Sequence, residues 1–427
     1  MTVTICTFGI MIGLMLVNVP VGFALGTATL GGIMVISELP LMVLAQRMFS
    51  GMDSFTLIAI PLFILTGELM CIGGVTRDLM NFSMVFVGHV RGGLAYVNVV
   101  SSMIFAGITG SAATDTSSVG SLLIPTMIEK GYDKDYTVAL TATASTIGIV
   151  IPPSIPMVLY GVASNTSIGA LFAGGVIPGL MIGGGLMAVA GVLAKRRGYA
   201  REEKKPLAEN LLILLRGIPA LTTVIIILGG IISGLFTPTE AAGVAAVYTF
   251  LLGKYYYREI GFRDLPRIMK SVGGTMGMVA LMVSAASALG WMLTVQGIPR
   301  AIGEMIFAAT DNKVIILLLL NLVMLFVGTW MDITPAMIIF TPILLPIALH
   351  IGVDPVHFGI ILVVNLAIGL FTPPVGLCLF IACGIAEVQM SSVLKAVVPF
   401  FLVMLTVLML VSFIPDLVLF VPHALLK

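Results

Sequence analysis

The residues best able to do chemistry in this chain are two aspartates, a cluster of hydroxyls and two proline pairs, all set in apolar surroundings. The stretch IGIVIPPSIPM, Ile147 to Met157, carries Pro152 and Pro153, and IGLFTPPVGL, Ile368 to Leu377, carries Pro373 and Pro374. A proline at position i cannot donate to the carbonyl at i−4 and clashes with it. Pro152 and Pro153 are thus expected to free the carbonyls of Gly148 and Ile149, and Pro373 and Pro374 those of Gly369 and Leu370. Two consecutive losses unwind a helix rather than bend it. An unsatisfied carbonyl in hydrocarbon costs on the order of several kcal/mol, so something must sit against it. A small hard cation prefers oxygen ligands and suits that surface. The chemistry expected is cation binding.

A polar segment lies upstream of each break. The first, GITGSAATDTSSVGS, runs from Gly107 to Ser121 and holds Ser111, Thr114 and Asp115; the second, GTWMDITPAM, runs from Gly328 to Met337 and holds Thr329 and Asp332. Each is followed by a short apolar stretch and a turn signal, KGYDKD at 130–135 and IGVDP at 351–355. That order suits a hairpin which enters a membrane and leaves by the same side, with its irregular tip shielded by protein. An acidic residue inside a spanning region is a functional candidate because burying it unpaired is costly. Asp332 stands alone among apolar neighbours and reads that way. Asp115, followed by Thr116 and Ser117, has two readings: a functional carboxylate, or a cap accepting backbone N–H groups.

The elements that must position these groups are membrane helices. Of 427 residues, 59% are hydrophobic and only 10% charged, and mean hydropathy is +1.15. A soluble chain would carry about a quarter charged residues. Runs long enough for a hydrocarbon core of ~30 Å recur throughout, among them Leu171–Ala194, Leu211–Leu235, Met276–Val295, Val314–Trp330 and Val397–Phe413. This is an all-α polytopic membrane protein with the lipid bilayer as solvent. A net charge of +1 argues against a nucleic-acid partner. The N-terminus has no basic residue before its apolar run, so the first segment is expected to stay as a span. Cys6, Cys71, Cys378 and Cys383 show no CxxC spacing and read as buried apolar side chains. The basic runs Lys195–Asn210 and Lys254–Lys270 are expected to face the cytoplasm.

The chain also repeats itself. Pro152 to Pro373 is a step of 221 residues, and the same step carries Gly107 to Gly328, Pro125 to Pro346, Gly131 to Gly352, Asp133 to Asp354, Gly148 to Gly369 and Pro178 to Pro399. Glycine and proline positions encode backbone geometry, so their coincidence outweighs that of leucines. The chain divides into a repeat at 1–195 with a tip near 107–121 and a broken helix near 145–156, a basic linker at 196–210, and a repeat at 211–427 with a tip near 328–337 and a broken helix near 366–377. Matched interruptions in two halves point to a secondary transporter with its site at their interface. Ser111 falls on Asp332 under this step, so the tips are related without being identical. Gly22/Gly26 and Gly273/Gly277 fit close helix packing.

The ordered motifs NVPVGFALG, SGMDSFTLIAIPLF, GSAATDTSSVGSLLIPTM, IPPSIPMVLYG and FTPPVGLCLF resemble the large membrane subunit of TRAP transporters, the DctM-like permeases, across essentially the full length. The resemblance implies two inverted-topology repeats and an elevator-type carrier in a bacterial inner membrane. It also implies sodium-coupled uptake of an organic acid, with at least two Na+ sites. A separate small membrane subunit of about four helices, each of bilayer-crossing length, and a periplasmic substrate-binding protein are the implied partners. One sodium site would use Gly110, Ser111 and Thr114 with Gly148, Val150 and Pro152; the other would use Gly328, Thr329 and Asp332 with Gly369, Thr372 and Pro374. The carboxylate substrate would lie between the tips, where half-helix N-termini offer N–H groups. Ser111, Ser154 and Asp332 are its expected contacts, with Arg47 or Arg300 as a cationic one. The Ser/Thr-rich first tip and Asp332 resemble the sialic-acid group more than the C4-dicarboxylate members.

Other functions remain to be set against this. A standalone sodium-coupled anion carrier or exchanger would use the same devices and would work in liposomes without partners. A hydrolase with Ser111 as nucleophile needs a histidine or lysine base, and no matching span offers one. His89, His350, His357 and His423 lie beside turns and form no HExxH, so no enzyme is expected. Buried acidic and hydroxyl groups in matched hairpins fit an occluding carrier better than a channel.

Overall fold

A computed structural model describes residues 2–17, 19–36, 40–72, 74–201 and 206–425. The centre of the basic linker, 202–205, lies outside them. Twenty α-helices make up the described residues: α1 Thr2–Leu16, α2 Val21–Ile36, α3 Met42–Met52, α4 Ala59–Ile72, α5 Val75–Val87, α6 Gly93–Thr109, α7 Ala112–Glu129, α8 Lys134–Ser145, α9 Ile155–Ser164, α10 Ile168–Arg197, α11 Leu207–Ile232, α12 Pro238–Leu251, α13 Leu265–Val295, α14 Ile298–Ala309, α15 Lys313–Trp330, α16 Ile333–His350, α17 Pro355–Gly369, α18 Leu377–Ala386, α19 Met390–Phe413 and α20 Asp416–Leu425. Apart from a bridge between Arg91 and Arg201, no strand pairing occurs among them. All-helical backbone is what a chain in hydrocarbon must adopt, because helices satisfy their own N–H and C=O groups.

Among the described residues, six helices are long and apolar enough to cross a membrane: α10, α11, α13, α15, α16 and α19. A seventh candidate joins α3 to the segment ending in α4 across a 60° bend. Large apolar side chains cover outward helix faces, as at Ile225 and Leu322, about two-thirds exposed. Lipid is the solvent such faces require.

Helices stop and restart at both polar segments and at both proline pairs. α6 and α7 meet at Gly110 and Ser111, and α15 and α16 at Met331 and Asp332. The first tip is tighter than expected, since all but two of the residues from Gly107 to Ser121 are helical. Ser111 makes this possible by capping α7: its hydroxyl accepts from the Thr114 N–H at 3.4 Å. Downstream, Gly131 and Gly352, at φ of 82° and 72°, turn each hairpin into the next helix. α8 then ends in a 3-10 turn, Thr146–Ile149, before restarting as α9, and α17 restarts as α18 after 370–376.

The halves interlock. α9 packs on α16 and α17, while α18 packs on α7 and α8, so each restarted helix lies against the other half's hairpin. α13 packs along α2, α3 and α4 and also touches α16. Gly22 faces Leu281 of α13 closely, with Gly26 near Ala285. Gly273 and Gly277 instead have open space beside them, so that pair makes no close packing. The sequence pattern could not tell the two apart, because glycine spacing marks a permissive surface and not its occupant.

Candidate functional site

Each hairpin tip is docked on the break of its own half. At the first junction the Ile155 N–H donates to the Gly110 carbonyl at 3.3 Å. Gly110 has a φ of 61°, and a Cβ there would stand 2.7 Å from the Pro153 carbonyl oxygen, so this contact needs glycine. Gly148 lies opposite the Ser111 backbone, and Pro152 opposite Gly107. The Thr114 hydroxyl donates to Ser111 Oγ at 3.1 Å. At the second junction the Val375 N–H donates to the Thr329 carbonyl at 3.2 Å. Gly328 and Gly369 meet backbone to backbone, with no room for a Cβ on Gly369. The structure thus gathers Gly110, Ser111, Thr114, Gly148 and Pro152 at one junction. It gathers Gly328, Thr329, Gly369 and Thr372 at the other, with Asp332 on the tip and Pro374 in the break.

Three of the four carbonyls expected to be bare have found donors. Ile149 accepts from the Ser154 hydroxyl at 2.6 Å. Gly369 accepts from the Thr372 N–H at 3.2 Å, and Leu370 from the Cys378 N–H at 2.8 Å. The prolines do remove the helical partners, but the chain curls back and supplies others, one of them in an i to i+3 turn. Among the described residues no donor reaches the Gly148 carbonyl, which keeps the expected character. The Val150 carbonyl lies against Gly175 of α10, on the side of the break away from the tip.

A cavity of about 280 Å³ lies where both tips and both breaks converge. The first turns of α7, α9, α16 and α18 all reach it, at Ala112, Ile155, Ile333 and Leu377. The first N–H groups of a helix have no carbonyl partner within it, and the aligned peptide dipoles place about half a positive charge there. Asp332 opens into the cavity and holds the N-cap position of α16, yet its side chain makes no cap hydrogen bond. Its carboxylate meets the Ile333 and Thr334 N–H groups at the start of α16 only loosely, and faces the cavity besides. The opposite wall comes from α13, at Thr275, Met278, Val279 and Met282, and from Ile64 of α4. Thr275 and Thr334 are lining hydroxyls that sequence reasoning missed, and only the position of α13 across the tips brings Thr275 there.

Three expected substrate contacts stand elsewhere. Ser154 is fully buried and spends its hydroxyl on Ile149 and on capping α9, where it accepts from the Met157 N–H at 3.3 Å. Arg300 lies along α14 with its Nε 2.9 Å from Glu304, beside a separate cavity of about 540 Å³. Arg47 on α3 sets its guanidinium 5.0 Å from the centroid of the Trp291 ring. Trp291 lines a third cavity, of about 360 Å³, between α3, α9, α13 and α16. Among the described residues, no arginine, lysine or histidine lines the cavity between the tips. Positive potential there comes from the backbone.

Residues 8–417 match the family model described as the tripartite ATP-independent periplasmic transporter, DctM component. The chain is 41% identical over 421 residues to the uncharacterized protein YgiK of Salmonella typhimurium, covering 98% of this chain and 97% of that one. It is 41% identical to the isethionate TRAP transporter permease protein DctMQ of Oleidesulfovibrio alaskensis over 97% of this chain, but spans 65% of that longer protein. It is 38% identical to the sialic acid TRAP transporter large permease protein SiaM of Vibrio cholerae, over 96% of each. Among solved structures it resembles the YdaH transporter of Alcanivorax borkumensis, with a TM-score of 0.63 at 14% identity over 89% of this chain and 88% of that one. That last likeness speaks for the fold alone.

Proposed function

The chain belongs to the DctM component family of the tripartite ATP-independent periplasmic transporters, multi-pass large permease subunits of these systems, and on that premise we propose that it imports a compact organic acid together with sodium. The observation that carries this reading is the convergence of four helix N-termini on one cavity whose lining holds no basic side chain. The positive ends of these helices attract a carboxylate or sulfonate without a fixed counter-charge, through the dipoles and those starting N–H groups not already given to Ser111, Gly110, Ser154 and Leu370. The anion is held and can be released. Asp332 is the wrong sign for the acid group itself, so it engages a sodium ion or a substrate hydroxyl. Sodium binds at the two tip-on-break junctions, with the bare Gly148 carbonyl its best-defined ligand and Asp332 supplying charge at the second.

The cavity lies at the seam between the interlocked hairpin body and the wall of α4 and α13, which supports an elevator movement of that body along the wall. The two halves act as inverted-topology repeats, 1–195 and 211–427. A small membrane subunit and a periplasmic binding protein complete the system in the bacterial inner membrane.

Relatives of similar identity are named for isethionate, sialic acid, 2,3-diketo-L-gulonate and C4-dicarboxylates, so identity does not single out one acid. The volume does better. About 280 Å³ is at the small end of ligand pockets, which run from roughly 300 to 1,000 Å³, and favours a compact acid over a nine-carbon sugar acid. The test is uptake into proteoliposomes holding both membrane subunits, with the binding protein added and an inward sodium gradient. Radiolabelled C4-dicarboxylate, isethionate and sialic acid are compared. Sodium-dependent uptake of a compact acid that needs the binding protein supports the proposal. Equal uptake without the binding protein would favour a standalone carrier, and uptake indifferent to sodium would sink the coupling.

A further inference from the structure

Asp115 has no part in anything described so far. Of its two readings, the cap is taken: Ser111 caps α7, and Asp115 lies within the first turn. Its side chain does not reach the cavity between the tips. It is fully buried, and neither carboxylate oxygen has a hydrogen-bond partner. Two hydroxyls stand against it, Ser102 of α6 and Ser145 at the end of α8. The Ser102 hydroxyl engages nothing besides Asp115, and the neighbouring Ser101 hydroxyl makes no hydrogen bond. Ser145 gives its proton to the Thr141 carbonyl at 2.9 Å, so what it presents is a lone pair.

Three helices thus bring a carboxylate and hydroxyl oxygens to one buried point, where the Ser102 and Ser145 hydroxyls interact with the carboxylate but leave both of its oxygens without a well-formed hydrogen bond. Oxygens held together with lone pairs to spare are suited to share a hard cation. Oxygen-only donors select a hard cation over a transition metal. The single carboxylate selects a monovalent one, because a divalent ion would leave net charge in an apolar interior. The site has no counterpart in the second half. The 221-residue step carries Ser102, Asp115 and Ser145 to Val323, Ala336 and Leu366.

We propose that Asp115, Ser102 and Ser145 form an additional monovalent-cation site, separate from both tip-on-break junctions, which binds sodium and ties α7 to α6 and α8 when filled. The proposal rests on sodium coupling of the carrier. The experiment is equilibrium binding of 22Na+ to the purified two-subunit membrane complex, with thermal unfolding followed across a sodium titration at constant ionic strength in choline chloride. Asp115→Asn is expected to bind one fewer sodium ion per chain than wild type and to lose the thermal stabilisation belonging to that ion. Ser102→Ala keeps the charge and is expected to need roughly tenfold more sodium for half-saturation, as when a metal site loses supporting oxygen. Wild type without sodium-specific binding would overturn the coupling itself. Wild type that binds sodium alongside an Asp115→Asn protein with the same stoichiometry and half-saturation would overturn this site alone, leaving Asp115 a neutral buried acid. Should Asp115→Asn fail to fold, an unchanged sodium response in Ser102→Ala overturns it equally.

Discussion

At the first junction Gly148 faces the Ser111 backbone across a gap in which a Cβ would stand 3.7 Å away, an ordinary contact. At the second, its repeat-mate Gly369 lies so close to Gly328 that a Cβ would strike backbone. The caps differ in the same spirit. Ser111 turns its hydroxyl onto its own helix, whereas Asp332, at the matching position, makes no closed cap and opens toward the cavity. Beneath the tips, the first hairpin buries Asp115 among serines where the second has Ala336, Val323 and Leu366. Two junctions of one backbone plan therefore differ in the groups they present. The first is looser at the tip and polar at its root; the second is closed at the backbone, with its charge facing the cavity.

The largest effect is expected where that difference is sharpest. Asp332→Ala removes the one carboxylate that, among the described residues, opens into the cavity, and coupled uptake should fall by roughly 100-fold, the upper range for loss of a ligand-supporting group. The subunit should still insert and bind its partner. Ser111→Ala at the matching position removes a cap worth about 1 kcal/mol and should lower uptake only a few-fold. Near-normal uptake by Asp332→Ala, measured in the same proteoliposomes, would erase the distinction between the tips.

Next comes the pair of matched glycines. Gly369→Ala must push the second hairpin off its break, since the obstructing atoms are backbone, while Gly148→Ala meets nothing closer than ordinary contact. Overpacking of this kind costs about 1–3 kcal/mol. Gly369→Ala should lower the unfolding midpoint and uptake together, and Gly148→Ala should leave the midpoint near wild type. Equal losses in both would mean the two junctions are equally tight.

The proline pairs come third. Replacing Pro152 and Pro153 by alanine lets the helix re-form and recapture the Gly148 carbonyl, so the sodium concentration for half-maximal uptake should rise. Replacing Pro373 and Pro374 should move it less, because the Gly369 and Leu370 carbonyls already have donors. Identical shifts in both double variants would restore the symmetric picture that the sequence alone suggests.

How much of this was legible follows from what each residue type encodes. Proline and glycine constrain backbone directly, so where the helices stop and restart could be read from Pro152, Gly131 and the residues 221 positions on. The fate of a freed carbonyl could not, because that depends on whether a donor such as the Ser154 hydroxyl or the Cys378 N–H folds back within reach. Glu304, four residues beyond Arg300 on the same helix, is an i,i+4 partner that the spacing itself offers. The partner of Arg47, Trp291 on α13, is visible only in three dimensions. Asp115 stayed ambiguous for the same reason. Its neighbours Ser102 and Ser145 lie on other helices, 13 and 30 residues away.

The smallest effect lies at the corners where each hairpin turns into its broken helix. Asp133 and Asp354 hold the same N-cap position, one on α8 and the other on α17. Asp354 accepts from the N–H groups of Val356 and His357 at 2.7 and 3.2 Å. Asp133 instead accepts from Arg197 at 2.7 Å and from the Tyr199 hydroxyl at 2.8 Å, and Arg197 also reaches Asp135 at 2.9 Å. The repeat-mates of Asp135 and Arg197 are Val356 and Val418, so the second corner has no such clasp. The Arg197 hydrogen bond holds the Asp135 carboxyl below its ordinary range. A carboxyl depressed in the folded state adds stability that is present above the unfolded value, about 3.9 for aspartate, and is lost as pH falls through the folded one. Asp135 is 37% exposed at the side chain, and solvent screening keeps the contribution under about 1 kcal/mol. Asp135→Asn should therefore unfold slightly more easily than wild type at pH 7, and the gap should close as pH drops below about 4. A gap of constant size across that range would show that the clasp acts through shape and not charge, removing the electrostatic difference between the two corners.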